Sequence, residues 1–326
     1  MIGRRALGAA LAAAALPLAA FPLSALAQPG GKVLSLVVPF APGGPTDLIA
    51  RRLAMLLQEV LGQTVVVENR AGAGGNVGAE YVARAAADGQ TVLFGTSGPL
   101  AINQMLYPGQ TYDPLKDFAP VGPLGRIPNV LAVHPDIPAR SVAELVALGK
   151  GGRALAFGSS GNGASSHLSG ALFNSMAGTR FEHIPYRGTG PALNDVLAGH
   201  IAMVFTDVLT ALPHIQSGRL RALGVTTAAR SAVLPETPTI AEQGLPGYDA
   251  SVFFGLVVPA ATPAPAREAL RRALEGALRQ EAMRRFLESQ GMQLAPEVTP
   301  AALSALMASE AARWRAVIRE TGAKAD

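Results

Sequence analysis

The chain has 326 residues, 49% hydrophobic and 15% charged, with 36 Gly, 25 Pro and no Cys. That length accommodates two compact domains or one large α/β unit, and the apolar content excludes intrinsic disorder. Without cysteine there is no disulfide framework, thiolate metal site, cysteine nucleophile or lipidated N-terminal cysteine, and scattered basic residues with a net charge of +4 give no nucleic-acid-binding face.

In chain order, the first element is a leader. Arg4 and Arg5 make a basic start, Ala6 to Ala20 an apolar stretch, and Ala25-Leu26-Ala27 an A-x-A cleavage site before Gln28. This is the pattern of a secretory signal peptide over residues 1–27, too short and wrongly flanked for a membrane span. The paired arginines admit either the general secretory or the twin-arginine route. Removing the leader takes two basic residues and no acid, leaving 299 residues with 25 basic and 23 acidic side chains, a net charge of +2. No later run reaches about 18 consecutive uncharged apolar residues, so an exported, soluble chain is expected.

Short β-rich runs then alternate with helical patterns. Val33 to Pro39, Thr64 to Glu68 and Thr91 to Phe94 read as buried strands, and Ile49, Leu53, Leu56, Leu57 and Val60 recur at the spacing of a crossover helix. The pattern restarts with strands at Val130 to Val133, Ala154 to Phe157, Ile201 to Phe205 and Arg221 to Val225. Helices are expected at Ser141 to Leu148, Ser165 to Met176 and Pro191 to Leu197. Ser141 followed by Glu144 is a capping box. After one more strand, Val252 to Val258, two long helical patterns follow Thr262-Pro263 and Thr299-Pro300, each an N-cap followed by proline at N1. Leu270, Leu274 and Leu278 line one face of the first; Leu303, Leu306, Met307, Trp314 and Val317 line one face of the second. Two β/α blocks with a helical tail predict two lobes, with the chain crossing near Pro128-Asn129 and Ala250-Ser251 and the tail returning to the first lobe.

Several chemistries have no motif here: there is no G-x-G-x-x-G, no Walker A and no G-x-S-x-G, and the five histidines lack metal-ligand spacing. Instead, four Gly-rich and mostly uncharged loops lie between a strand and a helix: 40–47, 69–76, 95–98 and 158–167. Free N–H groups and the helix dipole favour anions at such places, beyond the carboxyl ends of the strands where open α/β sheets bind ligands. Read singly, each loop serves equally well to supply positive φ; their presence in both blocks points to a ligand between two lobes. Thr46 or Asp47 is also a candidate N-cap for the first helix, Arg187 a candidate partner for either a carboxylate or a surface acid, and Asp207 follows a strand at the same edge. A serine hydrolase built on Ser159, Ser160 or Ser165 with His167 is the alternative, because a triad is defined by geometry; a solute sensor for a signalling partner is another.

These residues also carry a resemblance. The segments Val38-Pro39-Phe40-Ala41-Pro42-Gly43-Gly44-Pro45-Thr46-Asp47 and Glu68-Asn69-Arg70-Ala71-Gly72-Ala73-Gly74-Gly75-Asn76-Val77-Gly78 are similar to those of the periplasmic solute receptors of tripartite tricarboxylate transporters, the Bug family. So are Gly158-Ser159-Ser160-Gly161-Asn162-Gly163 with Ser166-His167-Leu168, Pro185-Tyr186-Arg187-Gly188-Thr189-Gly190-Pro191-Ala192 and Leu234-Pro235-Glu236-Thr237-Pro238-Thr239. The resemblance implies an α/β, two-lobed type II periplasmic-binding-protein fold with a central ligand cleft, lobe 1 being 28–128 with 251–326 and lobe 2 being 129–250. It implies a non-enzymatic receptor that captures a small carboxylate, closes by hinge motion and hands its ligand to membrane permease subunits, as a monomer and without cofactor, metal or nucleic acid. Carried over residue by residue, it points to Phe40, Gly43, Gly44, Thr46 and Asp47 from one lobe and Ser159, Asn162, Gly163, Ala164, Ser165 and His167 from the other, with Ser97 and Asp207 as further contacts. Ala164 stands where the family often has serine, which removes one hydroxyl from the second loop.

Overall fold

A computed structural model describes residues 32–186 and 188–322; the leader assigned to residues 1–27 and Arg187 lie outside them. The chain enters through β1 (Leu34–Val38), α1 (Pro45–Leu61), β2 (Val65–Asn69), α2 (Asn76–Ala83) and β3 (Thr91–Thr96). β1 pairs in parallel with both β2 and β3, as helical crossovers require. Ile49, Leu53, Leu56 and Leu57 bury the inner face of α1, whereas Val60, expected in the same stripe, is 49% exposed in the last turn. A π-helical turn over Gly98–Ile102 and the short α3 (Asn103–Leu106) then lead into β4 (Phe118–Val133).

The next segment holds α4 (Val142–Lys150), β5 (Ala156–Ser159), α5 (Ser165–Ala177), β6 (Glu182–Pro185), α6 (Thr189–Leu197), β7 (Met203–Asp207), α7 (Val208–Gln216) and β8 (Arg221–Val225). Ser141 caps α4 as expected, accepting the Glu144 N–H at 3.1 Å. The Glu144 carboxylate reaches back to the Arg140 N–H, one residue earlier than the usual box partner. The chain closes with β9 (Ser251–Pro259), α8 (Ala264–Arg279), α9 (Glu281–Ser289), β10 (Gln293–Leu294) and α10 (Pro300–Thr321). Thr299 caps α10, its hydroxyl accepting the Ala302 N–H at 3.1 Å. Thr262 does not cap α8: Pro263 holds that position, and the helix starts at Ala264 with proline again in its first turn. Three helices stand where periodicity gives two, because the extended backbone of Gln280 separates α8 from α9.

Strand order runs β2-β1-β3-β9-β4-β7-β5-β6, with β8 and β10 also on β4. β4 extends twelve residues N-terminal of the expected Val130 and changes partners along its length: from Phe118 to Pro128 it is antiparallel to β9, and from Asn129 to Val133 it pairs with β7 and β8. Pro120, Pro123 and Pro128 lack the N–H a ladder needs, and the register slips between Pro120 and Gly122 and between Pro123 and Gly125. At the change of partners, the Asn129 N–H donates to Thr226 Oγ1 at 2.8 Å and the Thr226 N–H to the Asn129 carbonyl at 2.9 Å. The Ala250 N–H joins the Thr226 carbonyl at 2.8 Å, so the outgoing and returning segments meet at one buried point.

One apolar core is continuous through this point, joining Leu93 and Phe253 to Leu131, Phe157 and Phe205 and to Leu303, Met307 and Trp314 of α10. A second packs α1, α8 and α9 on β1, β3 and β9 through residues such as Leu53, Phe94, Leu274 and Leu287. The helical tail therefore divides: α8 and α9 return to the first block, while α10 also reaches α5, where the Ser175 hydroxyl donates to Glu320 at 2.7 Å. Glu310 fixes α10 to the crossing. Its carboxylate, 3% exposed, accepts from Trp314 Nε1 at 2.9 Å, Arg126 at 3.0 Å and Arg313 at 2.6 Å; Arg126 also donates to Ser251 Oγ at 3.0 Å. Removing one partner of a buried ion pair leaves the others uncompensated. Glu310→Ala should lower unfolding stability by about 3 kcal/mol, read by chemical denaturation, and a loss under about 0.5 kcal/mol, the scale of a neutral surface change, would contradict this role.

Candidate ligand cleft

A cleft of about 640 Å³ opens where β1, β3 and β5 end and where β4 and β9 run side by side. Its floor is Ile127 on β4 with Val252 and Phe254 on β9. Phe40 to Pro42, Gly44 to Thr46, Gly74, Thr96 to Gly98, Ile102 and Tyr107 line one side. Ser160, Asn162 to Ser166, Gly188, Thr189 and Asp207 line the other.

Two helices begin in this cleft without a side-chain cap. α1 has Gly44 at the N-cap and Pro45 at N1. α5 has Ala164 at the N-cap, in extended conformation. Neither N-cap residue offers a side-chain acceptor to its helix, so first-turn backbone N–H groups and the positive ends of two dipoles lie in one cavity. Neither Thr46 nor Asp47 is the cap of α1. Asp47, 2% exposed, lies behind the loop: one carboxylate oxygen accepts the Gly43 N–H and Arg51 Nε, each at 2.9 Å, and the other accepts Asn69 Nδ2 at 2.9 Å. Burial acts to raise its pKa, but Arg51, the Gly43 N–H and Asn69 outweigh it and hold the carboxyl below the ordinary range. Asn69 also donates to the Phe40 carbonyl at 3.0 Å. Asp47 and Asn69 thus fix a loop whose Gly43 needs a φ of +86°.

The second loop is held by histidines. Gly163 takes a φ of +75°, and its N–H donates to Nδ1 of His167 at 3.1 Å, which commits that donor inside the loop. The His167 ring stacks on His183 with centroids 3.9 Å apart, and His183 stacks in turn on Phe157 at 5.0 Å. Ser159, fully buried, shares a 2.6 Å hydrogen bond with Nε2 of His183 and accepts the Gly161 N–H at 3.1 Å. Burial first, and the neighbouring His167 second, push the His183 pKa down to about 3. A neutral His183 imidazole, stacked on His167, therefore supports the loop from outside the cleft. Ser97 is fixed from a third direction, its hydroxyl accepting the Phe253 N–H at 2.7 Å, and Ser165 accepts Asn129 Nδ2 at 3.3 Å.

The structure thus brings Phe40, Gly44, Thr46, Ser97, Asn162, Gly163, Ala164, Ser165 and Asp207 to one lining, and places Gly43, Asp47, Ser159 and His167 behind it as supports. Of the loop 69–76 only Gly74 lines the cleft; the rest is tied down by Asn103, whose side chain donates to the Gly74 carbonyl at 3.0 Å and to Asn76 Oδ1 at 2.7 Å. Sequence reading misses Ile102, Tyr107, Ile127, Val252 and Phe254 as lining residues. Val252 and Phe254 carry only a strand signal, Ile127 is hidden between prolines, and Tyr107 stands alone after a short helix.

A cleft between two α/β blocks joined through a shared strand is the architecture of the two-lobed periplasmic binding proteins. The model of the tripartite tricarboxylate transporter family receptor matches residues 49–323, and the chain belongs to that family. It is 40% identical over 294 residues to protein BugT of Bordetella pertussis, covering 89% of this chain and 90% of that one. Among solved structures, an R. palustris protein determined with adipate superposes with a TM-score of 0.81 at 36% identity, covering 90% of this chain and 98% of the other. MatC of Rhodopseudomonas palustris, determined with bound malate, gives 0.78 at 33% identity over 88% and 98%.

The His183 stack has a pH signature. Folded His183 gains its proton only near pH 3, whereas an unfolded histidine does so near 6.5, so between these values the unfolded chain binds more protons. The stabilisation is complete above about pH 6.5 and is lost as the pH falls towards 3. Thermal melts at pH 7.5 and 5 should show a larger drop for the wild-type chain than for His183→Gln; equal drops would show that His183 does not stay neutral.

Proposed function

We propose that this chain is an exported periplasmic receptor that captures a small carboxylate (a di- or tricarboxylate, an acidic amino acid or an aromatic carboxylate) and delivers it to the membrane permease subunits of a tripartite transporter. The observation that carries this reading is the pair of uncapped helix starts, α1 and α5, set in one cleft from opposite sides. Both offer N–H groups to an anion, and polar side chains such as Thr46, Ser97, Ser160 and Asn162 add hydrogen-bonding capacity around them. Membership of a transporter receptor family and the adipate and malate of two relatives support the ligand class.

The lobes are 28–128 with 251–326, and 129–250; the change of partners along β4 at Pro128 and Asn129 supports the first boundary. Closure of one lobe on the other about the crossing strands is a recognised hinge motion. The leader over residues 1–27 directs export, and the receptor acts as a monomer without cofactor or metal. The hydrolase alternative of Ser159, Ser160 or Ser165 with His167 gains no support: Ser159 is fully buried and bonded to His183, Ser160 is bonded to Ser166, Ser165 to Asn129, and Nδ1 of His167 accepts the Gly163 N–H.

Isothermal titration of the leader-free chain against citrate, malate, adipate, glutamate and benzoate should give saturable binding of at least one; no binding by the folded protein would overturn the reading. Gly44→Val supplies the structural control. Gly44 has a φ of −80°, and a Cβ there would meet nothing closer than the Ala41 carbonyl at 4.0 Å, so the fold should tolerate it at about 1 kcal/mol for the poorer N-cap. The branched side chain should fill the approach to the α1 N-terminus and weaken binding more than tenfold. Unchanged affinity would remove that helix from the site.

A further inference from the structure

The cleft is uneven. Its anion pole lies at the two helix starts, while its floor, Ile127, Val252 and Phe254, is apolar and is extended by Ile102, Phe40 and Tyr107. Burial raises the Tyr107 pKa further, so this phenol is neutral at physiological pH. Among the described lining residues there is no lysine, arginine or histidine, and Asp207 is the one acid. Asp207 is the N-cap of α7: Oδ1 accepts from the N–H and the hydroxyl of Thr210 at 2.8 and 2.5 Å, and Oδ2 accepts from the Thr189 hydroxyl at 3.3 Å. A carboxylate oxygen has two acceptor directions, so Oδ2 retains capacity for another donor.

Resting on the receptor reading above, we propose that Asp207 selects against a second carboxylate, so that the preferred ligand is a monocarboxylate with a compact apolar body whose far end is uncharged or carries a hydrogen-bond donor. With one carboxylate at the helix starts, a second on the same small molecule is carried towards the floor or towards Asp207 in a cleft of about 640 Å³. Over the floor it loses hydration without gaining donors. Towards Asp207 it meets a like charge. A hydroxyl or N–H at the same place donates to Asp207 instead, and a flat or branched hydrocarbon body covers Phe254, Ile127 and Val252. The selection works by repulsion as much as by attraction, as specificity commonly does. It separates this chain from the relatives determined with adipate and malate, both dicarboxylates.

The test is titration of the leader-free chain at pH 7.5 with two matched pairs, benzoate against terephthalate and hexanoate against adipate, in the wild type and in Asp207→Asn. Asparagine caps a helix about as well as aspartate, so the variant removes the charge and keeps α7; its melting temperature is the control. The wild type should bind at least one monocarboxylate ten or more times tighter than its dicarboxylate partner, and Asp207→Asn should shrink that ratio at least tenfold, chiefly by tightening the dicarboxylate. A wild-type preference for the dicarboxylates, or a ratio unchanged in Asp207→Asn, overturns the selection and leaves the receptor reading intact. Failure of all four to bind also overturns it, and failure of citrate, malate and glutamate as well would take the receptor reading with it.

Discussion

Every part of the cleft depends on one strand having partners in both α/β blocks. β4 is antiparallel to β9 up to Pro128 and to β7 and β8 from Asn129 onward. The reciprocal pairing of Asn129 with Thr226 fixes the residue at which one set of partners gives way to the other. The strands of the two blocks therefore end around the same gap, and the helices that follow β1 and β5 start there. Were β4 to end at Pro128, the starts of α1 and α5 would not be held across one gap. The buried Glu310 network ties α10 to the crossing, so this point is braced by packing and charge.

Charged and titratable groups are largely spent behind the cleft. Asp47 organises the first loop through Gly43, Arg51 and Asn69, and the stacked His167 and His183 organise the second through Gly163 and Ser159. What the loops then present is main chain and hydroxyls. An uncharged loop surface is less costly to strip of water than one carrying ions, and donors held by a second layer of contacts need little reorganisation on binding.

Much of this was legible in the sequence, because the signals concerned are local. The alternation of β-rich runs with 3.6-periodic stretches placed β1 to β3, the end of β4, β5, β7 to β9 and the main helices to within a few residues, and Ser141 and Thr299 announced their helices. The resemblance, carried by Gly43-Gly44 and by the 158–167 loop, brought together most of the residues found on the lining. The failures have identifiable physics. Pro120, Pro123 and Pro128 argue against a strand, yet β4 accommodates them by slipping register at two places. β6 is four residues long and β10 two, too short to show a period. Gly43, Asp47, Ser159 and His167 share motifs with lining residues, but only the fold distinguishes a residue that faces the ligand from one that holds the loop behind it. The apolar lining of Ile102, Tyr107, Ile127, Val252 and Phe254 is assembled from three separated segments and has no sequence signature at all.

Ala164 has a further consequence. A serine there would accept a first-turn N–H of α5 and stabilise the helix permanently, by about 1 kcal/mol; alanine leaves that donor to whatever enters the cleft, and Gly44 does the same for α1. On the proposed reading an incoming anion would act as the missing cap of two helices at once, so that the ligand completes part of the secondary structure. The folding stability of such a protein is a readout of its cargo: it rises with the logarithm of free ligand above the dissociation constant.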